Sequence, residues 1–280
     1  MNEHQSTTLA TGFAFLEGPR WHDSSLWVSD MWTGDVLRID ENGASAPVCI
    51  IPGRPSGIGF LPDGTPLVVS MADRCVMRLG PAGLERYADL GAIAGGDCND
   101  MLVDPVGRAY VGNFGFDLHS GAPHANADLA VVDCDGGVRI AAKDLNFPNG
   151  MVLIDGGRTL VLAEGWARRL LAFDRAEDGS LSNRRVYADL GHRSPDGLCV
   201  DRDDGIWVAC YDSAEFLRVA INGEITDRVA VPGRHAVACA IGGADGRTLF
   251  CCVLAGDYEA AMRGERNGRI EIARVAIAGQ

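Results

Sequence analysis

Four side chains that can bind a metal ion or transfer a proton occupy equivalent places in the chain. Glu17, Asn99, Asn149 and Asp196 each stand about ten residues before a short apolar run. All except Asn99 are followed by Gly, and so is Ser56 at the same place before another run. Carboxylate and amide oxygens that converge on one point suit a hard divalent cation. The alternative is that each Asn-Gly or Asp-Gly pair only forms a turn at the surface.

The apolar runs are part of a repeat that defines the fold. They recur about every 41 to 51 residues, which is the range expected of propeller blades. Each run follows an apolar strand and a turn, and it precedes a third strand that ends in turn-forming Gly or acidic residues. The repeats predict an all-β protein, a six-bladed β-propeller in a single domain. The runs are residues 26–29, 67–70, 109–112, 160–163, 206–209 and 249–252.

A propeller would bring the equivalent positions of its repeats together. The innermost strand of each blade lines the central channel, so these positions meet near the axis, and the sixth falls near Cys239. Carboxylates crowded there would repel one another unless they were paired. The last strand, around residues 268–277, is expected to pair with residues 9–16 and so to hide the sheet edges. We expect one domain over residues 1–280, with residues 1–8 flexible.

Composition excludes several classes of protein. A protein that binds nucleic acid usually has a basic surface, whereas the net charge of this chain is −13. The sequence contains no run of 18 apolar residues, so no membrane span is predicted. Residues 1–8 lack the apolar core of a signal peptide. The nine cysteines are odd in number and show no paired metal-binding spacing, so we expect free thiols in a reducing cytoplasm. The expected partner is a small molecule, and the protein is expected to be a monomer or homodimer.

Five sequence segments resemble motifs of the SMP-30/gluconolactonase family, which includes regucalcin and sugar lactonases. Their order and spacing match those of the family, and the likeness extends from about residue 13 to 277. The segments are EGPRW at 17–21, NDMLVD at 99–104, FPNGM at 147–151, PDG at 195–197 and AIGG at 240–243.

The resemblance implies a metal-dependent hydrolase of cyclic esters. It implies that Glu17, Asn149 and Asp196 bind one divalent ion, that Asn99 lies beside them and binds substrate, and that Asp196 is the catalytic acid/base. Oxygen ligands favour calcium as the first choice, with zinc, manganese, magnesium and ferrous iron as alternatives. Calcium acidifies water weakly, which would make a base such as Asp196 more necessary.

The sequence departs from the sugar lactonases beside this site. Asp97 stands where those enzymes carry an Arg that holds sugar hydroxyls, two residues before the Asn of the Asn-Asp motif. Trp32, Phe114 and Phe116 lie near predicted strand ends, and His235 precedes the last inner strand. We therefore predict that these five residues contact the substrate, and that the substrate is a lactone or ester less polar than a sugar aldonolactone.

The sequence alone leaves several alternatives open for the function and for individual residues. The same site could serve a phosphotriesterase, or the protein could be a non-catalytic calcium-binding propeller. The long segment 114–128 could be a lid, and its His119 and His124 are interpreted as surface loop residues. Glu164 is either an acid beside the site or the partner of a neighbouring arginine in an ion pair.

Overall fold

The chain begins with two strands that join sheets formed by much later residues. These are β1 (Asn2–His4) and β2 (Ser6–Phe13) in the computed structural model, which describes residues 1–280. The remaining strands follow one another as six antiparallel blades. The predicted all-β, six-bladed propeller in a single domain is therefore confirmed.

The first three blades each contain four consecutive strands. Blade 1 consists of β3 (Leu16–His22), β4 (Ser25–Asp30), β5 (Asp35–Ile39) and β6 (Ser45–Ile50). Blade 2 consists of β7 (Pro55–Phe60), β8 (Pro66–Ser70), β9 (Cys75–Gly80) and β10 (Gly83–Asp89). Blade 3 consists of β11 (Cys98–Val103), β12 (Ala109–Asn113), β13 (Ala127–Val132) and β14 (Val138–Leu145).

The last three blades include the only helical turns. Blade 4 consists of β15 (Pro148–Ile154), β16 (Thr159–Glu164), β17 (Arg169–Arg175) and β18 (Leu181–Asp189), with a 3₁₀ turn at Asp155–Gly157. Blade 5 consists of β19 (Pro195–Val200), β20 (Ile206–Cys210), β21 (Glu215–Val219) and β22 (Ile225–Ala230). Blade 6 consists of β23 (His235–Gly242), β24 (Thr248–Leu254) and β25 (Gly268–Arg274), with α1 (Tyr258–Met262) before β25. No helix is long and apolar enough to span a membrane.

Acidic side chains form the turns between strands, as the sequence predicted. Asp40 Oδ1 accepts the backbone N–H groups of Asn42 and Ala44, both at 2.9 Å. Asp63 and Asp135 make the same bond to a backbone N–H two residues further on. Short acidic side chains favour such turns because they replace a backbone acceptor within the loop. These local bonds fix the hairpins that define each blade.

The apolar core lies between adjacent blades. Its largest cluster joins 29 buried residues from blades 6, 1, 2 and 3, and a second cluster of 14 joins blades 4 and 5. All nine cysteines are free, as expected, and six of them are buried. The core therefore holds neighbouring blades together and fixes the inner strands around the channel.

The ring closes through β2, which pairs antiparallel with β25 from Ser6 opposite Ala273 to Phe13 opposite Gly268. The predicted closure is confirmed, although the pairing strand starts and ends earlier than residues 9–16. Strand β1 pairs in parallel with β22 of blade 5, and His4 Nε2 lies 2.8 Å from Asp227 Oδ1. Residues 1–8 were predicted to be flexible, whereas residues 2–4 and 6–8 lie in these strands and complete the edges of two blades.

Each inner strand carries an irregularity near the position about ten residues before the apolar run of its repeat, which we call the head of the strand. The register between the inner strand and the next strand slips by one residue at the head or just after it. A β-bulge re-aims the side chain beside it. By this register the sixth head is Val237, two residues before Cys239. The six heads are Glu17, Ser56, Asn99, Asn149, Asp196 and Val237.

The Gly after a head permits neighbouring inner strands to approach closely. A Cβ at Gly57 would overlap the backbone N of Met101 in β11. A Cβ at Gly150 would overlap the backbone N of Leu198 in β19. Gly is required at these positions because the backbone of the next blade occupies the space of a side chain. The predicted Asn-Gly and Asp-Gly pairs are therefore inner-strand residues and not surface turns.

Candidate metal centre and active site

Four of the five heads that carry a side-chain oxygen meet at one cavity of about 350 Å³, and Ser56 is the exception. Glu17, Asn99, Asn149 and Asp196 all line it, and they are only 6%, 3%, 6% and 9% exposed. The other lining residues come from the starts of inner strands and from the loops that join second to third strands. The structure thus brings together the residues that the sequence singled out, from blades 1, 3, 4 and 5.

Two oxygens in this cavity have no partner. Asn149 Oδ1 and Asp196 Oδ1 are both buried and accept no hydrogen bond. Asn99 is held by long contacts, since Ser56 Oγ lies 3.5 Å from its Oδ1 and its Nδ2 lies 3.5 Å from Pro148 O. A buried acceptor without a donor is costly and is rare in native proteins. The unpaired oxygens therefore mark a place where a ligand can be bound.

The electrostatics of the cavity also favour a cation. Burial raises the pKa of Glu17 well above its usual value, and the charges of Asp196 and Asp100 raise it further. Burial and the charge of Asp100 likewise raise the pKa of Asp196. Arg20 pairs with Asp100 at 3.1 Å, and its charge lowers the pKa of Glu17 by less than the other effects raise it. A cation beside Glu17 and Asp196 would relieve this destabilisation.

The donor set fits a hard divalent ion. No group of three or more His, Cys, Asp and Glu side chains in the structure could hold a metal. The candidate set instead combines two carboxylates with amide oxygens, which is chemistry that hard cations accept. The predicted ligands Glu17, Asn149 and Asp196 therefore fit the predicted ion, and their role stays a prediction.

Aromatic residues dominate the walls of the cavity. Phe114, Phe147 and Trp166 stack on one another, with ring centroids 4.7 and 4.9 Å apart. Tyr211 and Tyr258 line the cavity from blades 5 and 6. Burial is the main reason why the pKa of each tyrosine lies above its usual value, so both hydroxyl groups stay protonated. The cavity combines a polar floor with largely apolar walls.

Asp97 does not line the cavity but holds an arginine beside its mouth. Its carboxylate pairs with Arg54, which comes from the loop before β7, and His119 Nε2 lies 3.5 Å away. The Arg54 guanidinium lies over the ring of Trp32, 4.9 Å from the centroid. Trp32 in turn packs edge-on against Tyr258. The sequence analysis missed Arg54, because an arginine in a Pro-Gly-Arg-Pro loop gave no sign that it would reach another blade.

Two other predicted substrate contacts lie behind the walls. Phe116 packs against Trp166 with centroids 5.4 Å apart, and the His235 ring stacks on Tyr211 at 4.4 Å. Neither lines the cavity, and neither do Trp32 and Asp97, whereas Phe114 does. Strand-end positions are ambiguous because successive side chains of a strand point to opposite faces.

The structure decides between the two interpretations of Glu164. Its buried carboxylate pairs with Arg169 at 2.5 Å and Arg184 at 3.1 Å, and it accepts the Asn146 N–H at 2.8 Å. It does not line the cavity. Glu164 is therefore the centre of an ion-pair network in blade 4.

The cavity also contains residues that the sequence analysis missed. Tyr258 begins α1, whose N-cap Asp257 accepts the N–H of Ala260 at 2.5 Å. Asp212 lies at the rim, where it accepts a hydrogen bond from Ser194 Oγ at 2.7 Å. The available signal was the helix-like segment before the last strand, since a helix inserted in an all-β repeat can lie over the channel.

Fold and site together define a six-bladed propeller with an oxygen-rich centre at one end of its channel. The chain belongs to the SMP-30/gluconolactonase/LRE-like family, whose sequence model matches residues 15–254. The resemblance noted in the sequence motifs is thereby confirmed.

Individual relatives are distant but cover most of the chain. Regucalcin from Danio rerio is 27% identical over 249 residues, which are 84% of this chain and 81% of that protein. A 6-deoxy-6-sulfogluconolactonase from Pseudomonas putida is 24% identical over 263 residues, 89% of this chain and 87% of that protein. The crystal structure of a calcium-binding protein, regucalcin, from Agrobacterium tumefaciens superimposes with a TM-score of 0.84 at 20% identity, covering 100% and 97% of the two chains. This last likeness shows the fold.

Proposed function

We propose that the protein is a divalent-metal-dependent hydrolase that opens a lactone less polar than a sugar aldonolactone. The observation that carries the proposal is the pair of unpaired buried oxygens on Asn149 and Asp196, beside Glu17, in a cavity with apolar walls. Membership of a lactonase-containing family and a sulfogluconolactonase among the relatives support the reaction class.

Three residues hold the ion in this proposal: Glu17, Asn149 and Asp196. Calcium is the first choice for such oxygen ligands, and zinc, manganese, magnesium and ferrous iron are alternatives. When bound, the cation would supply Lewis-acid polarisation of the lactone carbonyl and stabilise the negative charge that develops on its oxygen. The protein's contribution is to fix these ligands on rigid inner strands at a buried place.

Asp196 is the proposed catalytic acid/base. Its carboxylate accepts a proton from the attacking water and returns it to the oxygen of the leaving alcohol when the ring opens. Asn99 lines the same cavity, and its amide N–H can donate a hydrogen bond to the substrate. The aromatic walls exclude bulk water, which strengthens these interactions.

The walls favour a substrate less polar than an aldonolactone. No arginine or lysine lines the cavity, and Asp97 retains the nearby Arg54 in an ion pair. Phe114 contributes directly to the wall. The other predicted substrate residues, Trp32, Phe116 and His235, act by positioning the aromatic side chains that they contact.

Removal of the metal tests the proposal. We expect chelation with EDTA to abolish lactone hydrolysis and a divalent ion to restore it. Asp196→Ala should lower kcat/KM by about 10²–10⁴-fold, the usual contribution of a general acid/base. Asp203→Ala, in an exposed turn of the same blade, is the matched control and should keep full activity. Full activity of the Asp196 variant, or activity that EDTA does not change, would contradict the proposal.

Two alternatives predict different results in the same experiments. A phosphotriesterase would hydrolyse aryl phosphotriesters faster than any lactone, since a cation at the same place can polarise a phosphoryl oxygen. A calcium-binding propeller would bind calcium in titration calorimetry and turn over no ester. Regucalcin among the relatives is the reason to include calcium binding in the measurements.

A further inference from the structure

Aromatic side chains are concentrated at the cavity. Six of its sixteen lining residues are Phe, Trp or Tyr, whereas these residues make up 7% of the chain. Phe114, Phe147 and Trp166 form one continuous stack along the wall, with interplanar angles of 11° and 1°. These three come from the end of β12, the start of β15 and the loop after β16. Tyr258 lines the cavity from blade 6, across the ring from blades 3 and 4.

The charge at the cavity excludes an anionic substituent. The charged lining residues are Glu17, Asp196 and Asp212, and all three are acidic. Arg54 pairs with Asp97 and Arg20 pairs with Asp100, so neither guanidinium faces the cavity without a partner. One divalent ion would compensate the two carboxylates beside it, and no arginine or lysine is among the lining residues. A sulfonate or carboxylate on the substrate would find no partner there.

We propose that the aromatic stack of Phe114, Phe147 and Trp166 is a subsite for an aryl group, so that the preferred substrate is a neutral lactone with an aromatic substituent. This inference rests on the proposed lactonase function and specifies its substrate class. Ring-to-ring contacts, stacked or edge-on, are stronger than contacts of equal area with an aliphatic ring. A cavity of about 350 Å³ has room for a lactone ring and one aryl group.

Trp166 is the specificity-determining residue of this subsite that can be tested most directly. Its side chain lies at the rim and is 47% exposed, so its replacement leaves the core packing intact. The test compares kcat/KM for γ-phenyl-γ-butyrolactone with that for γ-cyclohexyl-γ-butyrolactone, which differ in the aromaticity of one six-membered ring. We expect the wild-type protein to favour the phenyl compound by about 3- to 10-fold.

Substitutions of Trp166 should change that preference selectively. Trp166→Leu should lower the phenyl-to-cyclohexyl ratio by about 2- to 3-fold, because two of the three rings remain, and Trp166→Phe should retain the ratio. The matched control is Phe60→Leu, because Phe60 is also a stacked, partly exposed ring, 3.7 Å from His22, but lies outside this cavity. That control should leave the ratio unchanged. A wild-type ratio near 1, or a ratio that Trp166→Leu does not lower, would overturn the inference.

A charged analogue completes the test. A para-sulfonated phenyl lactone should react at least about 10-fold more slowly than its neutral parent, because no free cation meets the sulfonate. An equal or faster reaction would count against the neutral substrate class.

Hydrolysis of simple lactones without a phenyl preference would overturn the inference and leave the proposed function intact. If no lactone reacted with any divalent ion, the proposed function would fail. The aryl subsite could then still be tested by calorimetry, which would compare the affinities of the phenyl and cyclohexyl lactones for the wild-type protein and for Trp166→Leu.

Discussion

The side chain at the head of each inner strand determines what that blade contributes to the centre. Blades 1 and 5 contribute carboxylates through Glu17 and Asp196, and blades 3 and 4 contribute amides through Asn99 and Asn149. The head of blade 6, Val237, is buried and apolar. Because the backbone is similar in each blade, the chemistry of the centre depends on these single residues.

Asp97 determines whether a free guanidinium is present at the cavity mouth. Its carboxylate pairs with Arg54 where both side chains are half-buried, so screening by solvent is reduced. In Asp97→Asn the guanidinium of Arg54 would keep its charge and lose its partner. We expect kcat/KM for the para-sulfonated phenyl lactone to rise by about 10-fold relative to the neutral compound.

The outer strand of blade 2, β10, offers a control for Asp97→Asn. Asp89 pairs with Arg86 at 2.9 Å, but both side chains are exposed on the outer strand. Asp89→Asn should leave the substrate ratio unchanged, because that pair is far from the cavity and contributes little in water. An unchanged ratio in Asp97→Asn would show that Arg54 does not contact the substrate.

The inner strands position the centre through close backbone packing. Each one lies against the inner strand of the next blade, and in four blades a Cβ on the Gly after the head would overlap that neighbouring strand. The bulge at the same point aims the head at the axis. Bulge and Gly thus act together, since one directs the side chain and the other permits the neighbouring strand to come near.

Gly57→Ala tests the importance of this approach. The added Cβ would overlap the backbone of Met101, which cannot move without shifting β11. We expect the free energy of unfolding to fall by about 3 kcal/mol, measured by denaturant titration. Gly80→Ala in β9 of the same blade is the control, because its Cβ would meet only ordinary contacts of 3.5 Å or more. A loss no greater than that of the control would show that the inner strands can separate freely.

The ion pairs of Glu215 in blade 5 make the free energy of unfolding depend on pH. Burial raises the pKa of Glu215 in β21, but hydrogen bonds from Arg193 and Arg228 lower it more, so its pKa lies below the usual 4.5. Because the pKa of Glu215 is lower in the folded protein than in the unfolded chain, its ionised carboxylate stabilises the fold fully at pH values above the pKa of the unfolded chain. This stabilisation is lost as pH falls through the pKa of the folded protein.

Glu215→Gln should therefore be less stable than wild type at pH 7, by about 2 kcal/mol, because the substitution removes the buried charge that accepts hydrogen bonds from the partly exposed Arg193 and Arg228. The difference should shrink as pH falls below about 4.5. Urea unfolding at several pH values measures it. Glu85→Gln, which breaks an exposed pair with Arg78, should change stability little at any pH. A difference independent of pH would contradict the assignment.

The whole molecule depends on the closure of the ring by its first residues. Strand β2 covers the edge of β25, and β1 extends blade 5. Without β2, blade 6 would have three strands and an exposed edge, which is a template for association with other chains. Closure therefore affects both stability and solubility.

Truncation separates the roles of these two strands. Deletion of residues 1–13 should lower the Tm by more than about 10 °C and cause aggregation in size-exclusion chromatography, because it removes the closing strand. Deletion of residues 1–4 removes only β1 and should lower the Tm by less than about 4 °C. Equal effects of the two deletions would show that β2 does not close the ring.

The sequence by itself determined the blade repeat, the turns and the polar heads. These features are local or periodic: an Asp such as Asp40 forms its turn with residues two and four positions away. The spacing of Glu17, Asn149 and Asp196 sufficed to predict their convergence, because a closed ring of similar blades brings equivalent positions to one axis.

Only the tertiary structure decided which side chains meet across blades. Arg54 and Asp97 are 43 residues apart and pair through two different loops. Phe116 and His235 lie behind the wall because packing, and not sequence position, sets the face that each side chain presents. Residues 2–4 and 6–8 form strands because later blades leave edges open for them. Such contacts arise from the assembled ring, so no local pattern in the sequence could specify them.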